Sequence, residues 1–349
     1  MRAKLNLLWA SVIMNQITPI LLESDWQTLL RQSVCSLDDL LTQVNLSREA
    51  VDVCDSAAKD FPVRIPMPYI NRIEKGNPND PLLLQVLPQS QEMERYPGYS
   101  NDPLEERDTN PVPGLIHKYK GRVLLIISGA CAINCRYCFR RHFPYQENQL
   151  GHQQWQQVLA YLQNDSSITE VIFSGGDPLA TPDKRLASMI KDLEAIQHIQ
   201  RLRIHSRLPV VIPQRITDDL CQLLASTRLK TVCVLHINHA NEIDPEVAYS
   251  IEKLQAAKVT VLNQAVLLKG INDSVEGLKS LSETLFDCGV LPYYLFVLDP
   301  VHGAAHFDIS DNDAIELVKS LQAALPGYLV PKLAREIPGR PSKTLLCLT

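Results

Sequence analysis

No apolar run of about 18 residues occurs in this sequence, so it carries no ordinary transmembrane helix and no membrane partner is expected. Basic charge is not in excess either: 34 Lys and Arg stand against 39 Asp and Glu, a net charge of −5. That balance offers no general field for holding DNA or RNA, so nucleic-acid binding is not expected. Nine cysteines in 349 residues are too sparse for a disulfide framework, and the composition is neither collagen-like nor coiled-coil. With 45% hydrophobic and 21% charged residues the chain can bury a full core and is not disordered. The size suits one large α/β unit with an extension.

Arg2 and Lys4 precede the apolar stretch Leu5–Met14, a weak likeness to a secretory signal. Asn6 interrupts the stretch and no small-residue cleavage site follows it. The expectation is a cytoplasmic chain whose natural first residue is Met1 or Met14.

Helical spacing marks Asp25–Arg31 and Leu37–Val44, with Ser36 and Ser47 as N-caps. From Phe61 to Pro113 prolines recur and periodicity fades, which reads as extended chain wrapped on a surface. Beyond Arg122 strands and helices alternate. Strands are predicted at Val123–Ser128, Glu170–Ser174, Arg201–His205, Thr231–His236, Val259–Gln264 and Pro292–Leu298. Helices are predicted at Gln154–Gln163, Lys184–Ile196, Thr217–Ser226, Glu246–Ala257, Ser274–Phe286 and Asp313–Ala324. Repeated βα units imply an α/β fold with a parallel sheet, expected here as a partial (βα)6 barrel at 111–327. A helical and extended N-terminal extension at 1–110 precedes it, and a C-terminal segment at 328–349 follows. In such barrels chemistry sits at the carboxyl ends of the strands.

One cysteine cluster demands an explanation: Cys131, Cys135 and Cys138 crowd the loop after the first strand, and the next cysteine is Cys221. Three thiolates at this spacing can hold three irons of a [4Fe–4S] cluster and leave the fourth open to a small molecule. A zinc site completed by His142 is the alternative.

The CxxxCxxC motif resembles the radical S-adenosylmethionine superfamily, and Ser174-Gly175-Gly176-Asp177 after the second strand resembles its Gly-Gly-acid motif. The resemblance implies that the open iron binds S-adenosylmethionine and that the reduced cluster cleaves it to a deoxyadenosyl radical. An electron donor for the cluster is implied with it. Glycines let backbone approach closely, and the acid is expected to pair with an ammonium group.

Wider stretches are similar to the lysine 2,3-aminomutase family over roughly residues 70–345. They run from His117 to Arg122, Phe139 to Phe143, Leu208 to Thr217, His236 to Glu242 and Asn263 to Asp273. The resemblance implies pyridoxal phosphate as a further cofactor, L-lysine as substrate and β-lysine as product. It places the cofactor lysine at Lys343, in Pro338-Gly339-Arg340-Pro341-Ser342, with Lys332 as the rival. It implies Arg122 and Lys118 at the phosphate, and Arg140 at the substrate carboxylate. Asp299 and Glu336 are implied at the substrate's side-chain ammonium, and Ser174, His236 and Gln264 around S-adenosylmethionine. Ser274 stands where the longer, catabolic branch of the family has a zinc cysteine, and the sequence ends six residues after Lys343. The chain therefore resembles the shorter branch, which implies a link to elongation factor P and its lysyl ligase. Free-lysine catabolism is the alternative, and a homo-oligomer stays open.

Overall fold

A computed structural model describes residues 25–347. The apolar stretch Leu5–Met14 and both candidate first residues lie outside them. No helix of the described residues is long and apolar enough to cross a membrane.

Nine strands lie side by side in chain order: β1 Leu115–Tyr119, β2 Arg122–Ser128, β3 Glu170–Gly175, β4 Arg201–Ser206, β5 Lys230–His236, β6 Thr260–Val266, β7 Leu291–Phe296, β8 Lys332–Arg335 and β9 Thr344–Leu345. β2 to β8 are parallel. β1 and β9 pair antiparallel at the two edges, and the sheet does not close on itself. The result is the expected partial barrel, one parallel strand wider than the sequence suggested. β8 carries only four residues, too few to show a period, and is a strand because the β7 edge offers it partners.

The helices between strands start where their caps dictate. Thr217, Asp244, Ser274 and Ser310 each accept a backbone N–H of the first turn, worth about 1 kcal/mol apiece. Side chains alternate across each strand. Val123, Leu125 and Ile127 of β2, Val171 and Phe173 of β3, and Leu202 and Ile204 of β4 join one core with helix residues such as Val158, Leu162 and Leu186. Each such burial contributes about 1.5–3 kcal/mol. Residues of opposite parity, among them Ser128, Ser174, His205, His236 and Gln264, therefore line the lumen near the carboxyl ends of their strands.

The segment from Phe61 to Pro113 is not merely wrapped on a surface. Tyr69, Ile70, Leu82 and Leu83 are fully buried in the same core as the barrel. Its prolines open short helices instead of preventing them: Asp80 caps Pro81–Leu84 through the amides of Leu82 and Leu83. Ser47 precedes a 3-10 turn, Arg48–Ala50, without a side-chain cap bond.

Candidate active site

The cysteine loop leaves the end of β2 and is stitched to the extension. Arg136, between Cys135 and Cys138, donates to both carboxylate oxygens of Glu92 at 2.8 and 2.6 Å and to the carbonyls of Phe61 and Ala57. Asn134 donates to the Pro62 carbonyl at 2.8 Å. Burial pushes the Cys131 thiol well above its ordinary value, and the neighbouring Cys138, Asp177 and Cys135 push it further. Cys138 is raised to about 11, by burial and then by Cys135. Three thiolates so placed need a compensating positive body, which an iron–sulfur cluster supplies, so the donor set fits one. Among the described residues no three Cys, His, Asp or Glu side chains close around a point that one metal ion could take. His142 instead faces the His302 carbonyl at 3.3 Å, which leaves the zinc alternative without a cage.

Gly175 and Gly176 are required by packing of protein on protein. A Cβ at Gly175 would sit 2.4 Å from the Ser128 carbonyl oxygen, and one at Gly176 would sit 2.5 Å from that of Ala130. Gly175 also has φ +121°, a conformation that side chains rarely adopt. The pair thus lets β3 press its end against the root of the cysteine loop.

Asp177, expected at a ligand's ammonium, accepts donors from within the protein. One carboxylate oxygen accepts from Ser206 Oγ and the Leu179 amide at 2.7 and 3.0 Å. The other accepts from the amides of Arg207 and Leu208 at 2.8 and 2.9 Å. With four donors already bound, a ligand's ammonium would have to replace one of them. Asp177 joins the end of β3 to the loop after β4.

Arg140 is also committed. Its Nε and Nη2 donate to Glu106 at 2.7 Å each, and Nη1 reaches Ser174 Oγ at 3.1 Å. Burial opposes the charge of Arg140, but Glu106 outweighs it and raises the pKa. A substrate carboxylate would meet the Nη1 corner and not an open fork.

His236 and Gln264 are opposite each other in the β5–β6 register, and the Gln264 amide donates to His236 Nε2 at 2.7 Å. That contact places the imidazole proton on Nδ1. Burial, then Arg207 and Arg140, lower His236 to about 3, so it is neutral at neutral pH. His205 packs edge-on against His236 at 6.1 Å, and its buried Nε2 has no partner. Burial, then the charges of Arg203, His236, Lys343 and Arg140, hold its basicity far down. His205 was not among the expected site residues, although its position one residue before the end of β4, on the lumen face, was the available signal.

At the other edge, Lys343 Nζ lies 2.6 Å from Glu336 Oε2 and 4.6 Å from the centre of the Phe296 ring. Glu336 Oε1 accepts from Lys118 at 2.9 Å. Lys118 lies 3.7 Å from Glu106, the partner of Arg140. Arg140, Glu106, Lys118, Glu336 and Lys343 thus form one chain of alternating charges from the cysteine loop to the C-terminal segment. It also ties the sheet's two edges, which share no backbone pairing. Glu106 was not among the expected site residues; it lies in the extension and no local pattern marks it.

This chain changes two expectations. Lys118, assigned to the phosphate, is held by two carboxylates. Glu336, assigned to a substrate ammonium, already has two ammonium partners, so a third would replace one of them. Burial opposes ionisation of Glu336, but Lys343 and Lys118 hold it at about 2. Asp299 is pushed up to about 7 by burial and then by Glu336, with Lys343 opposing; the two carboxyls share one environment. Arg122 rests over the Tyr119 ring at 4.6 Å and has no ion-pair partner among the described residues. It is the cation open to a phosphate. Lys332, the rival of Lys343, is exposed at the start of β8.

A lysine beside a carboxylate, an unpaired arginine and an apolar ring suit an aldehyde cofactor bearing a phosphate, so these residues fit pyridoxal phosphate. A model of the radical SAM superfamily matches residues 125–281. L-lysine 2,3-aminomutase of Haemophilus influenzae is 55% identical over 323 residues, covering 93% of this chain and 96% of that protein. L-lysine 2,3-aminomutase of Escherichia coli K12 is 52% identical over 325 residues, covering 93% and 95%. The solved structure of a radical SAM methyltransferase from Sphaerobacter thermophilus is 17% identical, covers 63% of this chain and 68% of that one, and superposes with a TM-score of 0.47.

Proposed function

The chain belongs to the L-lysine 2,3-aminomutase family of radical SAM isomerases, and from that membership we propose that it makes β-lysine from L-lysine with pyridoxal phosphate as well as the cluster and S-adenosylmethionine. One observation carries the reading: the charge chain from Arg140 to Lys343 joins the cysteine loop to the candidate cofactor lysine within one lumen. A radical made at the first and a substrate held at the second can then meet without leaving the barrel.

Cys131, Cys135 and Cys138 would hold the cluster, with Ser174, Gly175, Gly176, His236 and Gln264 around S-adenosylmethionine. Lys343 and Arg122 would hold pyridoxal phosphate, whose chemistry when bound is to carry the migrating nitrogen and spread the unpaired electron. The Arg140 corner orients the substrate carboxylate, and Asp299 with Glu336 receives its side-chain ammonium. Closed packing of the extension over the cysteine loop excludes water from a reactive radical.

We further propose that the product feeds the modification of elongation factor P. Support comes from Ser274, a serine where the longer branch has a zinc cysteine, which here caps the helix Val275–Asp287 through the Gly277 amide.

Anaerobically reconstituted chain given S-adenosylmethionine, a one-electron reductant, pyridoxal phosphate and L-lysine should form β-lysine, read by NMR. No product, or equal product without pyridoxal phosphate, overturns the reading. Adding elongation factor P with its lysyl ligase should give a protein mass gain matching β-lysine. Without that gain, the product goes to free-lysine catabolism.

A further inference from the structure

Arg207 follows β4 directly, on the loop that faces the cysteines. Its Nη1 lies 2.7 Å from Cys135 Sγ. Its Nη2 donates to Gln85 Oε1 at 2.7 Å and to Glu242 Oε2 at 2.8 Å, and its main-chain amide is fixed by Asp177. Glu242 is fully buried, and its other oxygen accepts from the amides of Asn238 and His239 at 2.9 and 3.1 Å. The extension, through Gln85, and the loop after β5, through Glu242, therefore hold one guanidinium whose other corner meets the Cys135 sulfur, while the loop after β3 fixes its main chain.

We propose that Arg207, held from behind by Glu242, is a positioning residue that sets the reduction potential of the iron–sulfur cluster through its hydrogen bond to Cys135. The proposal rests on the cluster assignment above. On reduction, one electron leaves an external one-electron donor and enters the cluster. No proton moves, no bond of the protein forms or breaks, and Arg207 keeps its charge. The added negative charge spreads onto the ligating sulfurs, where a charged N–H donor stabilises it. Glu242 partly cancels that charge from the far side. Both effects act in a buried, weakly screening environment. They have opposite signs, which separates them from a loss of packing.

The test is a redox titration of anaerobically reconstituted holoenzyme, following the electron paramagnetic resonance signal of the reduced cluster, with iron counted on each sample. Arg207→Met should lower the reduced-to-oxidised ratio at fixed poise about tenfold, a midpoint about 59 mV lower for a one-electron couple. Glu242→Gln should move the midpoint the other way, because the guanidinium loses its counter-charge. Arg207→Lys, which keeps charge without the fork, should fall between wild type and Arg207→Met. With full iron, midpoints that stay put or that shift in the same direction in Arg207→Met and Glu242→Gln overturn the proposal. Should Arg207→Met hold no iron, Glu242→Gln decides: a raised midpoint supports the proposal and an unmoved one sinks it. A wild-type chain that takes up no iron overturns the cluster assignment itself, and the iron count alone reports that failure.

Discussion

Around the cysteine loop, Arg136 and Glu92 are wholly inaccessible and doubly bonded, whereas around the candidate cofactor lysine the charges stay within reach. Lys343 exposes 24% of its side chain and Glu336 14%. At the first end each buried arginine has a buried carboxylate partner: Arg136 and Arg141 with Glu92, Arg207 with Glu242, Arg140 with Glu106. At the second, Glu336 is divided between two lysines, and among the described residues the nearby Asp299 has no cation within ion-pair distance. The difference follows from what each end must do. A cluster is held for the life of the protein, and fixed pairs cost nothing at turnover. A substrate bound as proposed, bringing its own ammonium and carboxylate, would displace charges on every cycle, which partly solvated partners allow at lower cost.

The sharpest way to break this comparison is to remove one residue from each end. Cys131→Ala should abolish iron binding and all β-lysine formation, because two thiolates cannot hold a cluster built for three. Lys343→Ala should leave iron near normal and remove the cofactor attachment, seen as loss of the pyridoxyl-labelled peptide after borohydride reduction. Four irons retained in the first variant, or a label on Lys332 in the wild type, would refute the respective site.

Glu92→Gln tests whether the cysteine end is rigid because its charges are paired. Removing one partner of a buried pair typically costs about 3–5 kcal/mol. We expect a loss of that order in urea unfolding. A loss under about 1 kcal/mol would mean that packing, and not the ion pairs, holds the loop.

Asp299→Asn probes the exchangeable end. Leaving a desolvated cation unpaired costs about 2–5 kcal/mol, so lysine turnover should fall about tenfold to a thousandfold with cluster and cofactor intact. Normal turnover would reduce Asp299 to the turn before Pro300. The pH dependence gives a second reading. Burial keeps Asp299 protonated up to about 7, so the anion that meets an ammonium gathers as pH rises through that value. The KM for lysine should fall over the same interval and stay flat in the Asn variant. Stability runs the other way. Between the ordinary 3.8 and about 7 the unfolded chain loses this proton while the folded chain keeps it, so Asp299 lowers stability as pH rises across that window.

Two glycines complete the comparison, with the smallest effect expected at the second. Gly175→Ala should cost the cluster, since its Cβ would strike the Ser128 carbonyl. Gly339→Ala meets nothing within 4 Å and is strained only by φ +74°, about 1–2 kcal/mol. Iron content and urea midpoints should separate the two; equal losses would remove the packing argument for Gly175.

Legibility followed the range of the interaction. The strand at Val123–Ser128 and the helix at Glu246–Ala257 were readable because their periods and caps lie within a few residues of each other. β8 was not, since four residues carry no period. Prolines between Phe61 and Pro113 pointed to extended chain, yet Asp80 and Pro81 start a helix that the barrel core then buries. Of the site, the cysteine triplet was legible from its spacing, and Ser174-Gly175-Gly176 only through resemblance to a family motif. The internal partners of Asp177 were not legible, because only the fold brings Ser206, Arg207 and Leu208 to it.

By itself the sequence determined the order of strands and helices and the place of the cysteine loop after β2. Those features rest on local spacing, which fixes which side chains share a strand face or a loop. Tertiary structure alone decided that Glu92, Glu106 and Arg207 belong to the site and that Lys118 and Glu336 are partners across 218 positions. A charge pair of that kind leaves no mark in the chain around either residue; it exists only because the fold removes both from water and leaves each the other as its counter-ion.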